Sequence, residues 1–169
     1  MRILMPLPSR DFDPTEASVP WRVMDNAGID VVFATPDGDR PEADDRLLSG
    51  RGFGPLRPFL RSGRRARKLY DEMSSTVAFR SPKSYDEIDP GDFQGAILPG
   101  GHAPGMKTYL ESELLQRHVG TMVADERPVA AICHGVVVLA RARRPRSEVS
   151  VLQGRRVTAL TESMEVSAW

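Results

Sequence analysis

The sequence predicts an α/β protein, a parallel sheet flanked by helices, with a nucleophile elbow at the carboxyl end of one strand. Three observations carry this prediction. A strand–helix–strand pattern with short loops opens the chain between Arg2 and Gly38. A short apolar run, Pro128-Val-Ala-Ala-Ile-Cys133, stops at the only cysteine and turns at once into His134-Gly135 and a helical pattern. Unusual polar residues also gather where strands end: Ser9 to Glu16, Gly100-Gly101-His102, Cys133-His134 and Glu162 to Glu165. Parallel strands need crossovers, usually helical, and open parallel sheets bind ligands at their carboxyl ends.

Each element has a local reason. Arg2-Ile-Leu-Met5 reads as a first strand, ended by Pro6 and Pro8. Asp13-Pro14-Thr15-Glu16 is a strong helix start, with Asp13 as N-cap, Pro14 in the first turn and Glu16 at the third position. The helix runs through Ala17, Trp21, Val23 and Met24 and stops at Gly28. Asp30 to Thr35 is the second strand, closed by Pro36-Asp37-Gly38. From Asp39 to Pro90 the pattern loosens, and only Ala66 to Met73 reads clearly as a helix. This segment, about 39–90, is expected to be an insertion or lid over the sheet. Its Arg57, Arg61, Arg64, Arg65, Arg67 and Lys68 could grip an anionic substrate, but nearby acids favour a solvated helix face.

Gly95 to Leu98 is a third strand running into Pro99-Gly100-Gly101-His102. Leu110, Leu114, Leu115, Val119, Met122 and Val123 recur at helical spacing. Pro128 to Cys133 reads as a buried strand, β-branched at Val129 and Ile132, and Gly135 to Arg141 as the helix that leaves it. After a basic loop from Arg141 to Arg146, Gly154 to Leu160 reads as a fifth strand.

A chain of 169 residues fits a single domain, 1–169, with a real core. Its 23 basic and 23 acidic residues balance, so no nucleic acid or anionic membrane is implied as partner. One cysteine excludes an internal disulfide framework and fits a reducing setting. The start is too short in apolar residues for a signal peptide, and no segment approaches a membrane span. The expected location is cytoplasmic.

Cys133 on a sharp strand-to-helix turn is exposed at the sheet edge beside a helix N-terminus, where dipole and N–H groups stabilise a thiolate. A lone cysteine is more often a small buried hydrophobe, and only the surrounding pattern favours catalysis. Gly100 and Gly101 lack side chains, so their N–H groups can face a developing oxyanion, although a double glycine is usually only a turn. Glu16 suits a capping box equally well. The same position also points a carboxyl toward the active edge, where burial beside sulfur would raise its pKa and let it carry protons. His102 reads as a loop residue. His118 falls mid-helix, is expected to be exposed and receives no role.

Ala-Ile-Cys133-His134-Gly135, the Leu-Pro-Gly100-Gly101-His102 turn and the early Glu16 together resemble the ThiJ/PfpI superfamily, flavodoxin-like α/β proteins related to class I glutamine amidotransferases. The resemblance spans Arg2 to Glu165 and is nearest to the heat-shock, glyoxalase III branch. It implies Cys133 as nucleophile, Glu16 as the carboxyl that tunes it, and His134 as acid/base. It also implies an oxyanion hole from the N–H groups of Gly101 and His134, and Glu165 as the acid orienting the histidine, with Glu162 as near rival. No histidine follows His134, which disfavours a glutaminase. Members usually continue well past Trp169, so an exposed apolar patch and a homodimer are expected.

The leading expectation is a glutathione-independent glyoxalase acting on a small 2-oxoaldehyde, without metal or organic cofactor. A cysteine peptidase or amidase acting on an amide, using the same set, is the alternative. A non-enzymatic chaperone or redox sensor, oxidised at Cys133, is the third reading.

Overall fold

The computed structural model describes residues 1–159 and Ser163. Strand β1 (Arg2–Pro6) is central because Ile3, Leu4, Met5 and Pro6 are all buried, leaving no face for water. It pairs in parallel with β3 (Asp30–Thr35) on one side and β6 (Gly95–Leu98) on the other. Continuous apolar strands of this kind belong inside sheets covered on both faces. The short strands β5 (Lys83–Ser84) and β7 (Val129–Ala131) complete a five-stranded, all-parallel sheet in the order β5-β3-β1-β6-β7. Strand β2 (Arg10–Phe12) and strand β4 (Glu42–Ala43) form a separate small ribbon beside it.

That order fixes the functional edge. The chain leaves β1 through helix α1 (Pro14–Asn26) toward β3, whereas β6 leads through helix α7 (Glu113–Ala124) to β7 in the opposite direction. Right-handed crossovers in opposite directions place these helices on opposite faces. A crevice opens where the direction reverses, outside the carboxyl ends of β1 and β6. The segments that follow β1, β6 and β7 carry Glu16, Gly100-Gly101-His102 and Cys133-His134 to that edge.

The segment 39–90, expected as an insertion or lid, divides in two. Its first part holds the short helices α2 (Asp45–Ser49) and α3 (Arg57–Leu60), with Leu56, Phe59 and Leu60 exposed. The rest belongs to the body of the fold. Helix α4 (Arg64–Ser75) packs on α1, and α5 (Val77–Arg80) packs on β3. Phe79, Met73 and Tyr85 are core residues, and the Tyr85 hydroxyl donates to Leu7 O at 2.6 Å. The Phe79 ring meets Phe33 edge-on at 5.1 Å and lies 6.2–6.3 Å from Phe12 and Tyr70. A fully buried aromatic of this kind contributes roughly 3–5 kcal/mol, so the segment stabilises the sheet.

Three further expectations are corrected. The fifth strand of the sheet is β5, within 39–90; of the stretch expected to be that strand, Gly154 to Leu160, the described residues 154–159 form none and Leu160 lies outside the described residues. Residues 151–154 form turns and 155–159 have no regular structure. A β-like sequence becomes a strand only where a neighbour can pair with it, and no partner lies beside 155–159 among the described residues. The strand before Cys133 is not fully buried: it pairs only with β6, and Ala130 is exposed. His118 is half-buried, its Nε2 2.9 Å from Tyr85 O, and so ties α7 to the loop after β5. Among the described residues no helix is long and apolar enough to cross a membrane.

Candidate active site

Cys133 sits between β7 and helix α8 (Gly135–Arg141) with φ 49°, in the left-handed region that non-glycine residues avoid. The turn is held from both sides. Ile132 N donates to Leu98 O at 3.0 Å, and Gly135 N returns to Ile132 O at 2.8 Å. Gly135 is obligatory, since a Cβ there would come within 2.1 Å of Leu98 O. Sheet and helix thus meet at van der Waals limit, and the strain forces the cysteine side chain out toward the crevice.

Glu16 reaches the same place from α1. Asp13 caps that helix, its Oδ1 accepting from Thr15 N at 2.7 Å and Glu16 N at 3.2 Å. A capping box would turn the Glu16 carboxyl back to Asp13 N, but that N–H donates to Gly100 O at 2.9 Å. The carboxyl instead accepts from Gly100 N at 2.8 Å and contacts the Cys133 thiol. Gly100 is therefore required for closeness rather than for a turn. A Cβ on it would lie 2.7 Å from His134 N and from Ile132 O, and 2.9 Å from Glu16 Oε2. This also corrects one expectation: the Gly100 N–H is committed to Glu16 and is not available to an oxyanion. Gly101, the other half of that expectation, is buried beside it.

The electrostatics follow from burial. Burial pushes the Glu16 carboxyl from 4.5 up to about 7; the charge of Asp13 adds to this, while the Gly100 N–H and the Cys133 contact oppose it. The Cys133 thiol moves from 9.0 up to about 11, pushed by burial first and by the Glu16 charge second. The His134 N–H donates toward the sulfur and opposes the rise. The sequence leads to a thiolate stabilised by the helix N-terminus. The structure reverses this, because α8 has only seven residues and its field is outweighed by desolvation and an adjacent carboxylate. The hydrogen bond runs from thiol to carboxylate.

His134 Nδ1 lies 3.4 Å from Cys133 Sγ. His102, read from sequence as a loop residue, meets the His134 ring edge-on with centroids 4.5 Å apart. Together His102, Cys133 and His134 offer ligand atoms within 4.8 Å of one another, so a metal ion could be held here. Tyr109, on helix α6 (Lys107–Leu110), is fully buried within the field of Glu16, and its hydroxyl has no hydrogen-bond partner among the described residues. Glu162 and Glu165 lie outside the described residues. The Arg-rich segment lines a cleft of about 390 Å³ with Arg57, Arg61, Arg64 and Arg67, joined to α1 through Ser62 Oγ, 3.2 Å from Thr15 Oγ1. A larger cleft of about 850 Å³ lies between α7, α8 and the basic loop and does not include Cys133.

The family model described as ThiJ/PfpI family-like matches residues 7–168. The chain belongs to the ThiJ/PfpI family. An uncharacterized protein of Schizosaccharomyces pombe is 30% identical over 142 residues, 83% of this chain and 50% of its own. Glyoxalase 3 of Candida albicans is 24% identical over 149 residues, covering 87% of this chain and 58% of that protein. Protein/nucleic acid deglycase 2 of Escherichia coli is 37% identical over 79 residues, 46% of this chain and 40% of its own. This ThiJ/PfpI chain thus spans about half the length of such curated relatives. The crystal structure of Candida albicans glyoxalase III superposes with a TM-score of 0.73 at 21% identity, over 99% of this chain and 71% of that one. The fold is that of the ThiJ/PfpI proteins.

Proposed function

We propose that this ThiJ/PfpI chain carries the site of a cysteine-dependent, glutathione-independent glyoxalase, converting 2-oxoaldehydes to 2-hydroxy acids. The observation that carries the reading is a carboxyl with pKa about 7 in contact with the nucleophile. Aldehyde isomerisation needs one base that can both take and return protons near neutrality, and such a group is poised for it. Similarity to proteins named glyoxalase adds support.

In this reading Glu16 takes the thiol proton as Cys133 Sγ bonds to the aldehyde carbon, giving a hemithioacetal. Glu16 and His134 then move a proton from C1 to C2 through an enediol, leaving a 2-hydroxy thioester on the cysteine. Water cleaves that thioester, releasing the 2-hydroxy acid and restoring the thiol. The N–H of Gly101, and that of His134 once the sulfur has bonded to the aldehyde carbon, supply the oxyanion contacts. The test is lactate formation from methylglyoxal by wild type and by Cys133→Ser. Turnover lost in a variant with unchanged circular dichroism is the expected result; turnover retained by Cys133→Ser would overturn the reading.

A second reading, attack of the same thiol on a carbon–nitrogen bond, rests on relatives named deglycases, two of them 37% identical over their aligned stretches. Product release from amide substrates, but not from dicarbonyls, would favour it.

A further inference from the structure

The role of His102 is not explained by either reading. It is an exposed residue on the loop after β6, yet its ring is set 83° across that of His134 at 4.5 Å. An edge-on contact between two such rings is only weakly stabilising. The more informative feature is what lies between them: two imidazoles and a thiol whose ligand atoms are all within 4.8 Å. In a tetrahedral site with metal–nitrogen distances near 2.0–2.1 Å and metal–sulfur near 2.3 Å, donors stand roughly 3.3–3.8 Å apart. His134 Nδ1 and Cys133 Sγ, at 3.4 Å, already have that spacing.

We infer that His102, Cys133 and His134 form a site for a zinc-class divalent cation. Two nitrogens and one sulfur are a donor set that favours borderline metals over calcium or magnesium, which prefer oxygen. Two of the ligands sit on a preorganised elbow, since the backbone on either side of Cys133 and His134 is fixed by the bonds of Ile132 N to Leu98 O and Gly135 N to Ile132 O. The third hangs on the loop whose Gly100 O accepts from Asp13 N. Because His102 is exposed while the other two are half-buried, a cation can enter from solvent and keep an open fourth position. The Glu16 carboxylate, held by Gly100 N, stands behind the sulfur as a favourable negative charge. On binding, the Cys133 S–H bond gives way to a sulfur–metal bond and the proton leaves to solvent, with no change of oxidation state. The occupied sulfur cannot attack a carbonyl, so the cation acts as a reversible block on the nucleophile. This inference is independent of which reaction the thiol performs.

Cobalt(II) serves as the spectroscopic probe, titrated into the reduced chain and then displaced by zinc. One equivalent should bind, with the intense visible bands of a tetrahedral site and a sulfur-to-cobalt charge-transfer band in the near ultraviolet. Cys133→Ser should abolish the charge-transfer band. His102→Ala, a change at an exposed position, should weaken binding by roughly tenfold or more. His118→Ala should leave both unchanged, since that ring lies against Tyr85 O. Absence of the charge-transfer band in wild type, or equal affinity in wild type and a folded His102→Ala, would overturn the assignment. Both readouts are independent of turnover, so they stand or fall separately from the glyoxalase reading.

Discussion

Glu16→Gln isolates the charge that governs this site. The amide keeps the shape of the carboxylic acid and can still accept from Gly100 N, so the fold should survive. In the wild type the folded carboxyl is raised from 4.5 to about 7, and the folded state therefore holds its proton more tightly than the unfolded chain. Stability is full below pH 4.5 and is lost as pH rises through about 7. Each pH unit of that window is worth about 1.4 kcal/mol, which caps the loss at roughly 3 kcal/mol. Glu16 is only part-buried, and solvent screening reduces this to about 2 kcal/mol. The glutamine variant carries no such penalty. Urea denaturation at pH 4.5 and at pH 8 should therefore show near-equal stabilities at the acid end and a variant about 2 kcal/mol more stable at the alkaline end. The same variant should move the Cys133 thiol down from about 11, because the carboxylate charge is its second cause of elevation. Alkylation rate against pH reads that shift. A stability difference independent of pH, with an unmoved thiol, would refute the account of a buried, coupled pair.

Two smaller perturbations probe the same packing. Gly100→Ala sets a methyl 2.7 Å from His134 N and 2.9 Å from Glu16 Oε2; it should cost about 1–3 kcal/mol in urea denaturation and shift the alkylation profile of Cys133 as Glu16 is displaced. Tyr109→Phe removes a buried hydroxyl without a partner among the described residues, so thermal denaturation should show a stability unchanged or raised by up to about 1 kcal/mol; a clear loss would mean that the hydroxyl has a partner.

The legible parts of the sequence were those with local causes. Asp13-Pro14 starts α1 through capping chemistry alone, and the apolar strands β1, β3 and β6 announce themselves by composition. The elbow was legible because cysteine, histidine and glycine adjoin in sequence. What escaped depends on distant partners. Lys83–Ser84 is a strand only because β3 lies beside it, and no pattern of two residues could reveal that. The core role of Phe79 and Tyr85 was hidden by the loose, arginine-rich stretch before them. His102 looked like loop filler because its neighbour, His134, is 32 positions away in the chain. The one signal available was that both follow strand ends on the same side of the sheet. The raised thiol pKa could not be read at all, because it depends on how deeply the elbow is buried.

That last point decides how the nucleophile works. A cysteine can be activated by lowering its pKa, or by keeping it neutral beside a base that removes the proton at the moment of attack. Here desolvation and the Glu16 charge push the thiol up to about 11, which favours the neutral thiol as the resting form and disfavours the first route. The second is open, because the carboxyl that raises the thiol is itself at about 7 and half-ionised at that pH. A neutral thiol is also a poor target for oxidation, which follows thiolate character. The rise in the Cys133 thiol would therefore slow its oxidation at rest, and under the proposed reading the same pair suits attack on a bound aldehyde.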